Sequence, residues 1–293
     1  MIKVFDKKLL FSICGIILIF LLIFTIYMEN QVTYTNGDAL SNKKIGWGIK
    51  REKDHKRPDV GKENAELIEY SGHGLYGVIN GKEILFGNKK LMEKYDGIYI
   101  GNEEKKYIYL TFDEGYEAGY TEQILDVLKE NDVKATFFIT AHYLNTAEDL
   151  VKRMIDEGHI VGNHTVNHKS LPDISNEEIK DEVMKLHQAI YEKTGYEMKY
   201  MRPPKGEFNE RTLKKTQELG YKTVMWSFAY FDWDEKKQGR EEYGKKKIMD
   251  NLHNGEIMLL HGNSKDNANA LDSIIKEAKA EGYEFKSLDE FER

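Results

Sequence analysis

From residue 105 onward the chain alternates short apolar segments with longer amphipathic ones, and this rhythm limits the possible folds more than any other feature. The short segments, among them YIYLTFD and KATFFIT, are rich in aromatic and β-branched residues and predict strands. The amphipathic segments predict helices, and in SNEEIKDEVMKLHQAIYEKTG, Ser175 and Glu178 match a capping box. Glycines close five predicted helices just before a strand: Gly158, Gly195, Gly220, Gly255 and Gly282. This alternation predicts an α/β fold with a mostly parallel sheet or barrel.

The N-terminus has a different composition from the rest of the chain. Residues 9–28 contain no charged side chain and are numerous enough to cross a bilayer as one helix. Lys3, Lys7 and Lys8 precede this segment and favour a cytoplasmic N-terminus, with the remainder of the chain outside the cell. We therefore predict a single-pass membrane anchor. The alternative is a cleaved signal peptide and a secreted protein, although YMENQVTY is a poor cleavage site.

The pattern divides the chain into four predicted regions. These are a cytoplasmic stub with the anchor or signal (1–28), a polar tether (29–45), an N-terminal subregion packed on the main domain (46–102) and the main α/β domain (103–293). In the third region, GLYGVINGKEILFG predicts a β-hairpin that turns at Asn80 and Gly81.

Charge and cysteine content exclude several functions. The formal net charge of −7 argues against a nucleic-acid-binding protein, which usually has a basic surface. The single cysteine, Cys14, lies inside the predicted membrane span. The exported domain therefore has no disulfide and no thiolate that could act as a nucleophile or metal ligand.

Residues able to carry chemistry follow the predicted strands. In parallel α/β folds, active sites lie at the carboxyl ends of the strands. The residues at these ends are Asp113 and Glu114, His164 and His168, Arg202 and Pro203, Asp232 and Trp233, and His261. We therefore expect one rim of the sheet to form a hydrolytic site.

Within NHTVNH, His164 and His168 are four residues apart, so that on a helical turn they share a face and can bind one metal ion. Taken alone, such a pair more often lies on the surface, and paired carboxylates more often belong to turns. Together, one of Asp113 and Glu114 can complete a two-histidine, one-carboxylate set. The other can then take a proton from water. This pattern predicts a catalytic divalent ion of the zinc type.

Two further histidines follow predicted strands. His261 comes after EIMLL and is a candidate general acid, the alternative being a core histidine bonded to the backbone. His142 comes after ATFFIT on the same rim, and we expect it to have a structural role.

Five motifs resemble those of the polysaccharide deacetylase family and stand in the family's order: TFDEGY, HTVNH, RPPKG, FDW and LLH. The resemblance covers about residues 105–291 and implies a distorted (β/α) barrel. LTFDEGYEAGYT, RPPKGEFNERT, HGNSKDNANAL and the upstream GWGIKREKDHKRPDVG are similar to the branch that produces muramic δ-lactam in spore cortex peptidoglycan.

The resemblance implies a role for each matched position. It implies that Asp113 is the general base, that Arg202, with Pro203 beside it, orients this base, and that His164 and His168 are metal ligands. It also implies that Asp232 tunes the general acid and that Trp233 packs against the sugar. Leu259 and His261 form the last motif, with His261 as the general acid. The family has aspartate as its third metal ligand where this chain has Glu114. Glu114 either binds the ion with altered geometry or points away and leaves its place to water.

The resemblance implies metal-dependent removal of the N-acetyl group from peptidoglycan N-acetylmuramic acid, leading to muramic δ-lactam in the spore cortex. Zinc is the expected ion, with cobalt or another divalent ion as an alternative. The implied partners are peptidoglycan glycan strands and an N-acetylmuramoyl amidase that first removes the peptide stem. The alternatives are a peptidoglycan N-acetylglucosamine deacetylase and a non-catalytic wall-binding module with a decayed site.

Overall fold

The computed structural model describes residues 45–46, 67–70, 74–79, 82–86 and 89–293. Its strands are β1 (Ile45–Gly46), β2 (Leu67–Tyr70), β3 (Gly74–Ile79), β4 (Lys82–Phe86), β5 (Tyr107–Glu114), β6 (Thr136–Ile139), β7 (Ile160–Asn163), β8 (Tyr200–Met201), β9 (Glu207–Phe208), β10 (Lys222–Thr223), β11 (Phe228–Ala229), β12 (Glu256–His261) and β13 (Glu284–Phe285). Its helices are α1 (Lys89–Lys94), α2 (Thr121–Glu130), α3 (Ala141–Thr146), α4 (Glu148–Asp156), α5 (Asn176–Thr194), α6 (Glu210–Glu218), α7 (Glu241–Met249) and α8 (Lys265–Ala280).

The larger sheet has the strand order β10-β8-β7-β6-β5-β12-β11, with β13 added to β5. Each of these pairings is parallel, which confirms the sheet predicted from the strand-helix rhythm. Within the described residues the edge strands β10 and β11 do not pair with each other. The sheet is therefore a curled half-barrel, which agrees with the distorted barrel expected from the motifs.

The two faces of this sheet pack against different partners. On β5, Phe112 and Leu110 belong to the large core between the sheet and its covering helices. Tyr109, on the opposite face, packs with Phe138 and Ile257 inside the half-barrel. Successive residues of a strand point to opposite faces, so residue parity decides which strand-end side chains face the inside.

Local signals in the sequence place the helices. Ser175 caps α5, and its hydroxyl accepts a hydrogen bond from the Glu178 backbone while the Glu178 carboxylate accepts one in return, which confirms the predicted capping box. All five glycines predicted to close helices have positive φ angles, and four of them lie one or two residues after a helix end. The prediction for Gly255 is wrong, because α7 ends six residues earlier, at Met249. Helix α3 was not expected from the sequence.

A second sheet contains the short N-terminal strands. Its order is β2-β3-β4-β1-β9, so a strand from the middle of the chain pairs with β1. Strands β3 and β4 are antiparallel with Ile79 opposite Lys82, which confirms the predicted hairpin. The predicted anchor at residues 9–28 lies outside the described residues. None of the helices described is long and apolar enough to cross a membrane.

Candidate active site

A buried ion pair lies at the centre of the inner rim. Asp113, at the end of β5, accepts a hydrogen bond at Oδ1 from Arg202 Nη1 at 2.8 Å. Its Oδ2 lies 3.5 Å from His164 Nε2. Burial raises the pKa of Asp113, but the charge and hydrogen bond of Arg202, together with the neighbouring His164 and His261, outweigh burial and lower this pKa below its usual value. The carboxylate is therefore ionised at neutral pH and able to accept a proton.

Arg202 is fully buried, and its guanidinium group has hydrogen-bond partners for several of its donors. Besides Asp113, its guanidinium donates to the Thr111 hydroxyl and to the backbone carbonyls of Val224 and Met225, at 2.9 to 3.2 Å. The same group lies 4.3 Å from the centre of the Phe138 ring. These contacts satisfy the buried cation and fix the direction from which it holds the base.

The two histidines of NHTVNH meet through a turn. Their rings are 4.8 Å apart between centroids, in an edge-to-face arrangement. The residues from 164 to 170 are not helical, so the predicted helical turn is wrong. Instead, Thr165 and His168 adopt left-handed φ angles of 71° and 54°. The Asn163 side chain accepts a hydrogen bond from the Thr165 backbone at 2.9 Å and tightens this turn.

Helix α5 supports the turn from behind. The buried Glu182 carboxylate accepts hydrogen bonds from the backbone and from the side chain of Asn167, both at 2.7 Å. The Glu182 carbonyl accepts a further bond from the Val166 backbone at 3.0 Å. Because left-handed backbone is unfavourable for residues other than glycine, these contacts are what maintain the conformation that places His168.

His164 and His168 are both neutral imidazoles near neutral pH, as their contacts and pKa shifts indicate. His164 Nδ1 lies 2.8 Å from the Arg202 carbonyl oxygen, so Nδ1 carries the hydrogen and Nε2 presents its lone pair. Burial lowers the pKa of His164, and burial together with neighbouring positive groups lowers the pKa of His168 to about 4. Both imidazoles are therefore neutral near pH 7.

A second histidine-carboxylate pair flanks the base. His261 is the register partner of Asp113 on the adjacent strand β12, so both side chains face the inside. Its Nδ1 donates to Asp232 Oδ1 at 2.7 Å, and its backbone donates to Asp232 Oδ2 at 2.9 Å. Burial lowers the pKa of His261, but the charge and hydrogen bond of Asp232, together with the nearby Asp113 carboxylate, outweigh burial and raise this pKa above its usual value. This shift favours the protonated imidazole, in which Nε2 as well as Nδ1 carries a hydrogen.

These groups open onto a cleft of about 760 Å³. Asp113, His164, His168 and His261 line it, together with Leu259 and the half-exposed Trp233, as predicted from the sequence. The cleft also contains residues that the sequence analysis did not single out: Tyr116, Lys205, Trp226, Tyr230 and Asn263. Tyr116 and Lys205 stand inside the quoted motifs TFDEGY and RPPKG, which was the signal available for them.

The remaining predicted residues lie behind or beside the cleft. Asp232 is buried behind His261, and Arg202 is buried behind Asp113. Pro203 is buried next to Arg202 and does not line the cleft. His142 is exposed on α3 and also does not line it.

Glu114 is separated from the two histidines. Strand β5 continues through Glu114, which is paired with Ile139 of β6, so this side chain faces the helices while Asp113 faces the cleft. The carboxyl group packs against Gly262, where there is no room for a Cβ atom. Of the two alternatives for Glu114, this geometry corresponds to the one in which the side chain points away, and it does not support the prediction that Glu114 is a metal ligand.

The buried Glu114 carboxyl has no hydrogen-bond partner for either oxygen in the part of the chain described. Burial, followed by the carboxylates of Glu117 and Asp113, raises the pKa of Glu114 well above its usual value. The folded protein therefore holds Glu114 neutral over a pH range in which the unfolded chain ionises it, and stability is lost as the pH rises through that range.

We expect Glu114→Gln to remove this loss of stability. The unfolding free energy of the variant relative to the parent should rise as the pH increases above about 4.5, the ordinary glutamate pKa. Urea unfolding of both proteins at a series of pH values measures this difference, with the exposed Glu130→Gln as control. A difference that does not change with pH would show that Glu114 is ionised in the folded protein.

The donor set determines how well a metal ion fits. Two neutral imidazoles, His164 and His168, converge on the cleft and suit a divalent ion of the zinc type. Over the described residues, no group of three or more histidine, cysteine, aspartate or glutamate side chains is arranged to hold a metal. Among the described residues, His164 and His168 are therefore the side chains that would hold a divalent ion in this cleft.

Comparisons with known proteins agree with this architecture. The polysaccharide deacetylase family model matches residues 100–224. The chain is 47% identical over 253 residues to an uncharacterised 30.6 kDa protein of Geobacillus stearothermophilus, and the match covers 86% of each chain. It is 42% identical over 254 residues to the Bacillus subtilis peptidoglycan-N-acetylmuramic acid deacetylase PdaA, covering 86% of this chain and 88% of that one.

A solved structure and a third relative extend the comparison. The structure of Bacillus subtilis PdaA, described as a family 4 carbohydrate esterase, matches with a TM-score of 0.72 over 85% of this chain and 97% of that one, at 42% identity. A Bacillus cereus peptidoglycan-N-acetylglucosamine deacetylase is 34% identical over 201 residues, 67% of this chain and 72% of that one.

The half-barrel and its cleft, together with these similarities, define a carbohydrate de-N-acetylase. The chain belongs to the polysaccharide deacetylase family, which confirms the resemblance carried by its five motifs.

Proposed function

We propose that the protein removes the N-acetyl group from N-acetylmuramic acid residues of peptidoglycan. The observation that carries the proposal is the pairing of Asp113, held by Arg202, with His261, held by Asp232, as register partners on adjacent strands. Adjacent strands are about 4.8 Å apart, so the two side chains can act on one small group between them. The name of the relative PdaA supports the muramic substrate.

Asp113 acts as the general base in the proposed mechanism. Oδ1 is occupied by Arg202, so Oδ2, which faces the histidines, takes a proton from the attacking water. The resulting hydroxide adds to the acetamide carbonyl carbon. The lowered pKa of Asp113 keeps it ionised and ready for this step.

His261 acts as the general acid. Its Nδ1–H is committed to Asp232, and its Nε2–H is donated to the sugar nitrogen as the carbon-nitrogen bond breaks. The products are acetate and the free amine. A divalent ion held by His164 and His168 would supply Lewis acidity to this site.

We expect Asp232→Asn to move the pH profile of the reaction. The Asp232 carboxylate raises the pKa of His261, so an amide in its place lowers that pKa and His261 loses its proton at a lower pH. The alkaline limb of kcat/KM should therefore shift to lower pH, and activity near pH 8 should fall about ten-fold or more. A pH-rate profile measures this shift, with the exposed Asp156→Asn as control. An unmoved alkaline limb would show that another group supplies the proton.

The proposal includes the later fate of the product. Deacetylated muramic acid has an amine near its lactyl carboxyl group, and loss of water between them closes a six-membered δ-lactam. Their closeness on one sugar favours closure. This sequence of events requires that an N-acetylmuramoyl amidase has already removed the peptide stem. We place the activity in the spore cortex, with residues 9–28 anchoring the chain in the membrane and the catalytic domain outside.

Mass spectrometry of glycan fragments tests the proposal. The full-length chain in detergent, with zinc supplied, is incubated with intact peptidoglycan and with amidase-treated peptidoglycan. We expect muramic residues to lose acetyl, and then water, in the amidase-treated sample. Loss of acetyl from glucosamine in both samples would favour the second candidate, an N-acetylglucosamine deacetylase, which the Bacillus cereus relative supports.

A non-catalytic wall-binding module with a decayed site is the other alternative. The orientation of Glu114, which faces the helices and not the two histidines, is the feature that favours a decayed site. The ordered base, its arginine and the carboxylate-held histidine all argue against it. Zinc binding without release of acetate from either peptidoglycan sample would support the decayed site.

A further inference from the structure

We propose that Lys205 recognises the lactyl carboxylate of muramic acid and thereby selects stem-free muramic residues. This inference rests on the proposed function and assigns a residue that recognises the lactyl carboxylate of the substrate in the same cleft. N-acetylmuramic acid differs from N-acetylglucosamine by a lactyl ether on O3, which ends in a carboxylate once the peptide stem is removed. While the stem is attached, that carboxyl group is a neutral amide.

The backbone around Lys205 is shaped to present its side chain to the cleft. Lys205 has φ 61° and ψ 9°, a left-handed conformation that is unfavourable for lysine. Two prolines precede it, and the Pro203 carbonyl accepts a hydrogen bond from the Gly206 backbone at 3.1 Å. Gly206 also has a positive φ, and a Cβ there would lie 2.5 Å from the Trp226 ring. The prolines, the Gly206 hydrogen bond and the Trp226 ring therefore maintain the left-handed backbone of Lys205. Backbone strain of this kind concentrates at functional sites.

The Lys205 ammonium adds a positive charge to the lining of the cleft. Its side chain is exposed on the cleft wall, and within the described residues it makes no salt bridge or side-chain hydrogen bond. Lys236 also lines the cleft, but it lies beside two carboxylates, Asp234 and Glu235. The Asp113 carboxylate is already paired with Arg202. An incoming carboxylate is therefore most favoured next to Lys205.

The position of Lys205 suits the substrate. The lactyl group is on C3, one carbon from the N-acetyl group on C2, so it must lie close to the catalytic groups when the acetamide reacts. Lys205 lines the same cleft as Asp113, His168 and His261. We therefore expect a carboxylate attached at C3 to approach Lys205 while the acetamide lies between Asp113 and His261.

The test compares matched glycan substrates with the full-length chain in detergent and zinc supplied. The substrates are muramic glycans with a free lactyl carboxylate, the same glycans with the peptide stem, and N-acetylglucosamine oligomers. We expect Lys205→Gln to lower kcat/KM for the free carboxylate about ten-fold, mainly through KM, as for loss of one charged hydrogen bond. Selectivity for the free carboxylate should fall by the same factor, and Lys205→Arg should restore it.

Two controls separate charge from backbone strain. Lys205→Gly removes the charge but accepts the left-handed backbone, so it should lose selectivity while remaining as stable as the parent. Lys180→Gln removes an exposed charge from α5, far from the motif in sequence, and should leave selectivity unchanged.

The outcomes distinguish this inference from the proposed function. Unchanged selectivity in Lys205→Gln, with an active parent on muramic glycans, would overturn the role of Lys205 and leave the proposed function intact. An equal loss on all three substrates would also overturn it. A parent protein that acts on no muramic glycan would overturn both.

Discussion

Asp113→Asn should abolish most of the deacetylase activity, by about 10³-fold, because general-base catalysis of this kind contributes about 10²–10⁴-fold. The amide has the shape of the carboxylate and can still accept the hydrogen bond from Arg202 Nη1, so the fold should be retained. It cannot take a proton from water. Acetate release from glycan substrates measures the loss, and circular dichroism with thermal unfolding establishes that the variant is folded.

The exposed Asp156→Asn on α4 is the matched control, because it makes the same chemical change outside the cleft. It should keep the activity of the parent. A folded Asp113→Asn variant with full activity would remove Asp113 from the mechanism and would require another base on the inner rim.

Arg202→Met should have the largest effect on stability. The change leaves Asp113 as a buried, unpaired carboxylate and takes the donors from Thr111 and two backbone carbonyls. Removal of one partner from a buried ion pair typically costs about 3–5 kcal/mol. We expect the unfolding free energy to fall by this amount, as measured by urea denaturation. Where the variant remains folded, the acid limb of its pH-rate profile should move to higher pH, because Arg202 no longer lowers the pKa of Asp113.

A double-mutant cycle tests the physical reason. In the presence of Asp113→Asn, Arg202→Met should be less destabilising than in the parent, because no charge is then left unpaired. Arg202→Lys keeps the charge but loses the planar set of donors, and should fall between the parent and Arg202→Met. Additive effects in the cycle would show that the two residues do not stabilise each other.

Asp113 and Arg202 contribute to the site in different ways. In the proposed mechanism Asp113 is the proton acceptor, whereas Arg202 fixes its position and helps to lower its pKa inside the half-barrel. His261 and Asp232 repeat the arrangement with the opposite proton requirement, because the Asp232 carboxylate raises the pKa of His261 and favours its protonated form. An acid and a base can therefore work side by side at one pH.

Periodicity and short motifs in the sequence were enough to predict the parallel sheet, a helix capping box and the aspartate and histidines that line the cleft. The capping box of α5 and the positive φ angles of the helix-closing glycines are local properties, so nearby residues determine them. The placement of Asp113, His164 and His261 on one rim follows from the rule that parallel strands end on the same edge of a sheet.

Tertiary structure decided three features that local patterns left open. Pairing with β6 extends β5 through Glu114, and this extension turns the second carboxylate toward the helices and away from the histidines. Glu182, on a helix that follows in the chain, stabilises the left-handed turn that brings His168 to His164. Trp226 lies over Gly206 and shapes the turn that presents Lys205. The sequence by itself determined which residues reach the strand ends. Contacts between distant segments decided which way those residues face, because a one-residue shift in the pairing register of a strand moves each of its side chains to the other face of the sheet.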